Sequence, residues 1–180
     1  MMWNGACVGK IKSEITVVCD AGPVIHLDEL GCLDLLKDFQ EVLLPNTVWE
    51  EIKRHRPSAL NKADLSFVQR PGKPPSGEPL LTLCKIFSLD AGEIEALALM
   101  EQRPQSIFLT DDAAARFVAI QMGFNVHGTI GILVRSIRRG QKSPKEVLDI
   151  LKDMPLKTTL YIRHSLLQEI QLEIKNEFNL

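Results

Sequence analysis

Aromatic residues are scarce: they make up 6% of the 180-residue chain, with a single tyrosine and two tryptophans. Repeated stacking of bases on aromatic rings needs more of them, so a broad stacking platform has little support. Charge of one sign is also missing. Lys and Arg number 21 against 23 Asp and Glu, for a formal net charge of −2. That argues against gripping long duplex DNA through a wide basic face, although a local basic rim can coexist with an acidic centre. The four cysteines, Cys7, Cys19, Cys32 and Cys84, are scattered, with no CxxC and no nearby histidine pairing. Neither a zinc site nor a disulfide framework is expected, and Cys19 and Cys84, set among apolar residues, are expected in the core. No apolar run approaches a membrane span, and "MMWNGACVGKIKSE" lacks the long apolar stretch of a signal peptide. The expectation is a cytoplasmic protein without membrane contact. Gly5-x-x-x-Gly9-Lys10 is one residue short of a phosphate loop and has Ile11 where a magnesium-binding hydroxyl would sit. Residues 1–14 read as a flexible tail.

What is present is an alternation of short apolar runs and amphipathic segments. "EITVVCD", "EVLLP", "SIFLT" and "FNVHG" read as strands, and "PLLTLCKIF" as a strand or packed extended segment. Helices are expected over "AGPVIHLDEL", continuing through "CLDLLKDF", and over "NTVWEEIKRH", "SLDAGEIEALALMEQ" and "DDAAARFVAIQMG". Further helices follow over "TIGILVRSIRRG" and "SPKEVLDILKDM". Gly123 and Gly140 should close two of them. Residues 57–79 are rich in Pro and Gly and read as an exposed loop, with a short helix inside it at most. Residues 155–180 form an amphipathic helical extension to a domain spanning 15–154. Strands alternating with helices indicate an α/β fold, a parallel sheet covered on both faces, with its functional crevice beyond the carboxyl ends of the strands.

At that edge the sequence concentrates acid. Asp20 follows one strand, Asp111 and Asp112 another; Glu93 opens one helix, and Glu50 and Glu51 lie early in another. Each alone reads equally as a helix cap, worth about 0.5–2 kcal/mol. Asp90-x-x-Glu93, Thr47-x-x-Glu50 and Ser143-x-x-Glu146 all fit a capping box. Capping leaves Glu51 and the second aspartate of the Asp111–Asp112 pair as surplus. Clustered carboxylates need cations, and hard oxygen ligands suit Mg²⁺ or Mn²⁺, which activate water and stabilise charge on a phosphodiester.

The blocks "VVCDAGPVIHLDELG", "VLLPNTVWEEI", "LDAGEIEALAL" and "FLTDDAAARFVAIQMGFNVHGTIGILV" resemble, in order and spacing, those of PIN-domain proteins. They look most like the PIN-like branch related to the toxins of VapBC toxin–antitoxin pairs. The resemblance implies a three-layer α/β/α sandwich and a metal-dependent ribonuclease. It implies Asp20, Glu51, Glu93 and Asp112 as the acidic set, with Asp112 chosen over Asp111 because it falls two residues after Thr110. Asp111 is then expected to start the helix. Ala113 to Ala115 offer no further acid, a departure that bears on two-metal occupancy. Thr110, Arg116 and Thr129 are candidates for contacting substrate or orienting the ligands; capping or an ordinary ion pair are the alternatives. The resemblance also implies a small antitoxin partner and a homodimer. Lys53 to Arg56 with Arg135, Arg138 and Arg139 could rim a single-stranded RNA path, or simply face solvent. His26 and His127 lack metal-ligand spacing, and Trp49 is expected to pack.

Two other readings use the same residues. A non-catalytic PIN-like module would hold RNA or protein in the acidic crevice without cutting it. A phosphoacceptor or phosphatase domain fits less well, because Asp20 is followed by Ala-Gly-Pro and no suitable lysine follows a late strand.

Overall fold

The computed structural model describes residues 14–62 and 64–180; the N-terminal tail and the Gly5–Lys10 stretch lie outside the described residues. Strands β1 (Thr16–Cys19), β2 (Glu41–Pro45), β3 (Phe67–Arg70), β4 (Ile107–Leu109) and β5 (Asn125–His127) form one sheet in the order β3-β2-β1-β4-β5. All four pairings are parallel. Helices α1 (Ala21–Glu29), α2 (Asn46–His55), α3 (Pro57–Leu60), α4 (Glu78–Ile86), α5 (Ala91–Gln102), α6 (Ala113–Gln121), α7 (Thr129–Arg138), α8 (Pro144–Lys157) and α9 (His164–Phe178) surround it.

The period of two along each strand sorts the core into layers. Val17, Cys19, Val42, Leu44 and Leu109 face a cluster shared with Leu27, Leu133, Leu151, Leu167 and Ile174, from α1, α7, α8 and α9. Val18, Leu43 and Phe108 face the opposite cluster, with Leu80, Leu97, Met100 and Val118 from α4, α5 and α6. The result is the expected α/β/α sandwich. Gly123 and Gly140 close α6 and α7 with φ of 76° and 63°. After each, a backbone N–H reaches back to an orphaned carbonyl, Phe124 to Ala119 and Gln141 to Ser136, both at 2.9 Å.

The structure corrects the reading of four segments. "PLLTLCKIF" is helical, not extended: Leu80 and Cys84, four apart, are the buried pair, and Pro79 sits in the first turn of α4. A short apolar run does not reveal its period. Residues 57–79 contain α3 and the edge strand β3, which pairs with β2 from Phe67 to Arg70. An edge strand with only partial burial carries no continuous apolar run, and its Pro/Gly-rich sequel hid it. "CLDLLKDF" winds as a 3₁₀ helix over Leu33–Asp38. There is also no Thr47–Glu50 capping box. Helix α2 starts directly after Pro45, and the Thr47 N–H donates instead to Glu95 of α5 at 3.1 Å.

A candidate active site at the carboxyl edge of the sheet

The strand order reverses at β1, so the crevice lies where β1 and β4 end side by side. Backbone bonds carry the ladder one residue beyond the strands: the Asp20 N–H donates to the Leu109 carbonyl and that of Thr110 to His127, each at 2.9 Å. The two loops are thereby held in fixed register. Asp20 caps α1, accepting from the Ala21 N–H at 2.8 Å with Oδ1, and its Oδ2 accepts from the buried Thr110 hydroxyl at 3.0 Å. The same hydroxyl oxygen accepts from the Asp112 N–H at 3.1 Å. Thr110 therefore orients both loops, and capping is not its role.

The pair Asp111–Asp112 divides its work differently from expectation. Asp112, not Asp111, caps α6, through Oδ1 and the Ala115 N–H at 2.8 Å. Asp111 turns the other way. It accepts from the Thr129 N–H and hydroxyl at 2.8 and 2.6 Å and lies 2.8 Å from His26 Nδ1. Although burial pushes its pKa up, these bonds from His26 and Thr129 hold it below the ordinary value. Asp111 thus satisfies the start of α7 from outside that helix. Arg116 spends Nη2 on the Thr110 carbonyl at 2.9 Å, so it is neither a surface ion pair nor a carboxylate clamp. Removing the Asp111 carboxylate, as in Asp111→Ala, strands the Thr129 donors and His26 and is expected to cost about 2–3 kcal/mol. Asp112→Asn keeps a competent cap and should cost under about 1 kcal/mol. Urea denaturation of the two variants checks this; equal losses would refute the assignment.

From the other side, α5 presents Glu93 in a complete capping box with Asp90. A Cβ on Gly92 would lie 3.3 Å from Val48 and 3.9 Å from Glu51 Oε2, so this glycine lets α5 sit close against α2. The closeness sets like charges against each other. Burial raises Asp20 most; Ala21 and Thr110 counter it, while Glu51 and Asp90 push it further, to about 6. Glu93 rises to about 7, through burial first and then the charges of Asp90, Asp112 and Asp20 against the Asp90 N–H bond. Glu51 is raised by burial and by Asp90. Asp20, Glu51, Glu93 and Asp112 therefore face one crevice, joined by Asp90, which the sequence offers only as a cap. Asp112 Oδ2 and Glu93 Oε1 take no hydrogen bond from the described residues. Among the described residues, no three His, Cys, Asp or Glu side chains stand close enough together to enclose an ion.

A profile described as a PIN domain matches residues 16–176. The chain belongs to the PIN-domain family. No curated protein and no solved structure matches it. A PIN domain is a nuclease-type fold. No helix among the described residues is long and apolar enough to cross a membrane.

The basic residues split into two groups. Asp38, at the end of the 3₁₀ helix, accepts from Arg135 Nη2 at 2.7 Å and from Arg139 Nε at 2.9 Å, and Arg135 also lies over the Phe39 ring. Arg138 pairs with Glu177 at 3.5 Å and Arg56 with Glu29 at 2.9 Å. Those four are tied to structure. Arg54 and His55 instead line an open trough with Glu51, Asn46 and Asp90 at the mouth of the crevice.

Proposed function

We propose that this PIN domain is a metal-dependent endoribonuclease that hydrolyses RNA phosphodiester bonds, the toxin of a toxin–antitoxin pair. The observation that carries the reading is the gathering of Asp20, Glu51 and Glu93 beside Asp90 and Asp112, where burial first and like charge second hold Asp20 at about 6 and Glu93 at about 7 and raise Glu51. A fold tolerates such a set when a cation relieves it. The donors fit a hard divalent ion: they are oxygens only, and Asp112 and Glu93 each keep one oxygen uncommitted. Asp20, Glu93 and Asp112 would hold Mg²⁺ or Mn²⁺, with Glu51 and Asp90 at its margin. Asp111 belongs to this set as a supporting residue, because its oxygens are already spent on Thr129 and His26.

The bound ion supplies an activated water and charge stabilisation at the phosphate. The rest falls to the protein. Thr110 orients Asp20 and the Asp112 loop together, and Asp111, held by Thr129 and His26, fixes the floor beside them. Arg54 offers positive charge to the strand entering over α2, with His55 beside it in the same trough. A small antitoxin would cover this edge, and a homodimer is part of the same reading.

The looser spacing of the ligand groups favours one second reading, a module that binds RNA or protein without cutting it. The deciding experiment incubates the protein with mixed RNAs and Mn²⁺ or Mg²⁺, beside Asp20→Asn and a chelator control. Cleavage is expected from the native protein with metal, and neither from the variant nor under chelation. Equal cleavage by both proteins refutes the mechanism; no cleavage and no metal binding favours the module.

A further inference from the structure

A second cavity opens on the α7 side of the crevice, with a volume of about 330 Å³. Its lining combines polar Asp111, Arg116 and His127 with apolar Ile130, Leu160 and Leu166. Its mouth carries Tyr161, the single tyrosine of the chain, 87% exposed. The outer wall is chain 158–163, the non-helical strap between α8 and α9. That strap is pinned: the Thr159 N–H donates to Glu29 at 2.8 Å, and the Leu160 N–H to the Thr158 hydroxyl at 3.2 Å. Glu29 is itself held by Arg56 at 2.9 Å, so the wall is preformed.

Resting on the nuclease reading above, we propose that this cavity is a nucleobase pocket, taking an unstacked base of the RNA next to the phosphate at the acidic edge. Three observations favour a base over an apolar peptide. The cavity is lined by Asp111, beside the candidate ligand Asp112, and by Arg116 of α6, which binds the Thr110 carbonyl, so it lies within a nucleotide's reach of the acidic edge. Arg116 uses Nη2 on the Thr110 carbonyl and leaves Nε and Nη1 without a partner among the described residues, donors suited to base or phosphate oxygens. The lining mixes apolar side chains with polar groups, as a flat ring with hydrogen-bonding edges requires, and the exposed Tyr161 can stack on it. A single well-placed ring does what the scarcity of aromatics seemed to deny. The strap and α9 thereby become part of the substrate site.

The test uses the full chain carrying Asp20→Asn, which binds without cutting, and fluorescence anisotropy with RNA hexamers in Mg²⁺ buffer. Homopolymeric A, U, C and G hexamers are compared with an abasic hexamer of the same backbone. At least one homopolymer is expected to bind about 10-fold tighter than the abasic strand, within the range for one base stacked on a ring. Adding Tyr161→Ala should erase that difference, and Tyr161→Phe should keep it. The exposure of Tyr161 makes loss of fold an unsuitable explanation, and circular dichroism verifies it. Equal binding of abasic and base-bearing strands, preference surviving Tyr161→Ala, or no binding of any hexamer overturns the pocket. Cleavage by the native protein is scored separately, so a failed pocket with intact metal-dependent cleavage leaves the nuclease reading standing.

Discussion

Asp20→Asn is expected to melt higher than the native protein at pH 8 without metal, and lower once Mn²⁺ is saturating. The sign follows from linkage. In the fold Asp20 titrates at about 6 rather than 3.8, because burial outweighs the bonds from Ala21 and Thr110 and because Glu51 and Asp90 add repulsion. Between those values the native state holds more protons than the unfolded chain, so stability is full below about pH 4 and falls as pH rises through about 6. The full difference corresponds to about 3 kcal/mol. An asparagine does not ionise, and its amide can still cap α1 and meet Thr110 after turning its NH₂ toward the hydroxyl. Allowing for that rearrangement, a gain of about 1–2 kcal/mol, or about 2–6 °C, is expected at pH 8, about half of it at pH 5 and almost none below about pH 4. Glu93, raised in the same direction, makes the native protein's pH dependence steeper. Bound metal reverses the order, since a ligand at about 100 times its Kd adds about 2.7 kcal/mol to the native protein and little to a variant lacking a ligand. Cleavage should fall at least about 100-fold in the same variant. Differential scanning fluorimetry at pH 5 and 8, with and without Mn²⁺, reads the crossing. A native protein whose Tm ignores Mn²⁺ at pH 8 would sink the metal reading.

The parts of this molecule that could be read from the sequence are those whose partners are local or whose burial is complete. β1, β2 and β4 announce themselves because both faces are covered, so their residues run apolar without interruption. Asp90 with Glu93 and Ser143 with Glu146 form capping boxes as their spacing implies, since a cap needs only residues three apart. What escaped depends on partners far along the chain. β3 is an edge strand that exists because β2 offers it a ladder. The α2 start donates its Thr47 N–H to Glu95, 48 residues on, which no local motif predicts. The move of the α6 cap from Asp111 to Asp112 has the same origin. Both aspartates precede α6, but the α7 start lies beside Asp111 only after β5 has paired with β4. Asp38 illustrates the cost of reading charge without distance. Its two arginines are open in the sequence to an RNA rim or a solvated face, and are its ion-pair partners, from 97 and 101 residues away.

Gly128→Ala is the sharper probe of how that edge is assembled. Three glycines stand in the motifs that surround the crevice, Gly22 after Asp20, Gly92 before Glu93 and Gly128 before Thr129. None has the left-handed backbone that would itself demand glycine, so space alone separates them. A Cβ on Gly22 meets His26 and Asp111 at 3.5–3.7 Å, ordinary contact, and one on Gly92 meets Val48 at 3.3 Å, a small adjustment. On Gly128 it would stand 2.5 Å from Asp111 Oδ1, 2.7 Å from Arg116 Nη2 and 3.1 Å from the Thr110 carbonyl. Asp111 cannot retreat without leaving the Thr129 donors, nor Arg116 without leaving that carbonyl. Two or three partly buried bonds are therefore lost or stretched, at about 2–4 kcal/mol in total. Thr110 also orients Asp20 and the Asp112 loop, so the displacement carries into the ligand set and cleavage should drop about 10–100-fold. Gly22→Ala should stay within about 0.5 kcal/mol of the native protein, and Gly92→Ala within about 1 kcal/mol. Urea denaturation and Mn²⁺-dependent cleavage of the three variants, measured together, give the ranking. If Gly128→Ala proves as mild as Gly22→Ala, the tie between Asp111, Arg116 and the Thr110 loop is not what holds this edge in place.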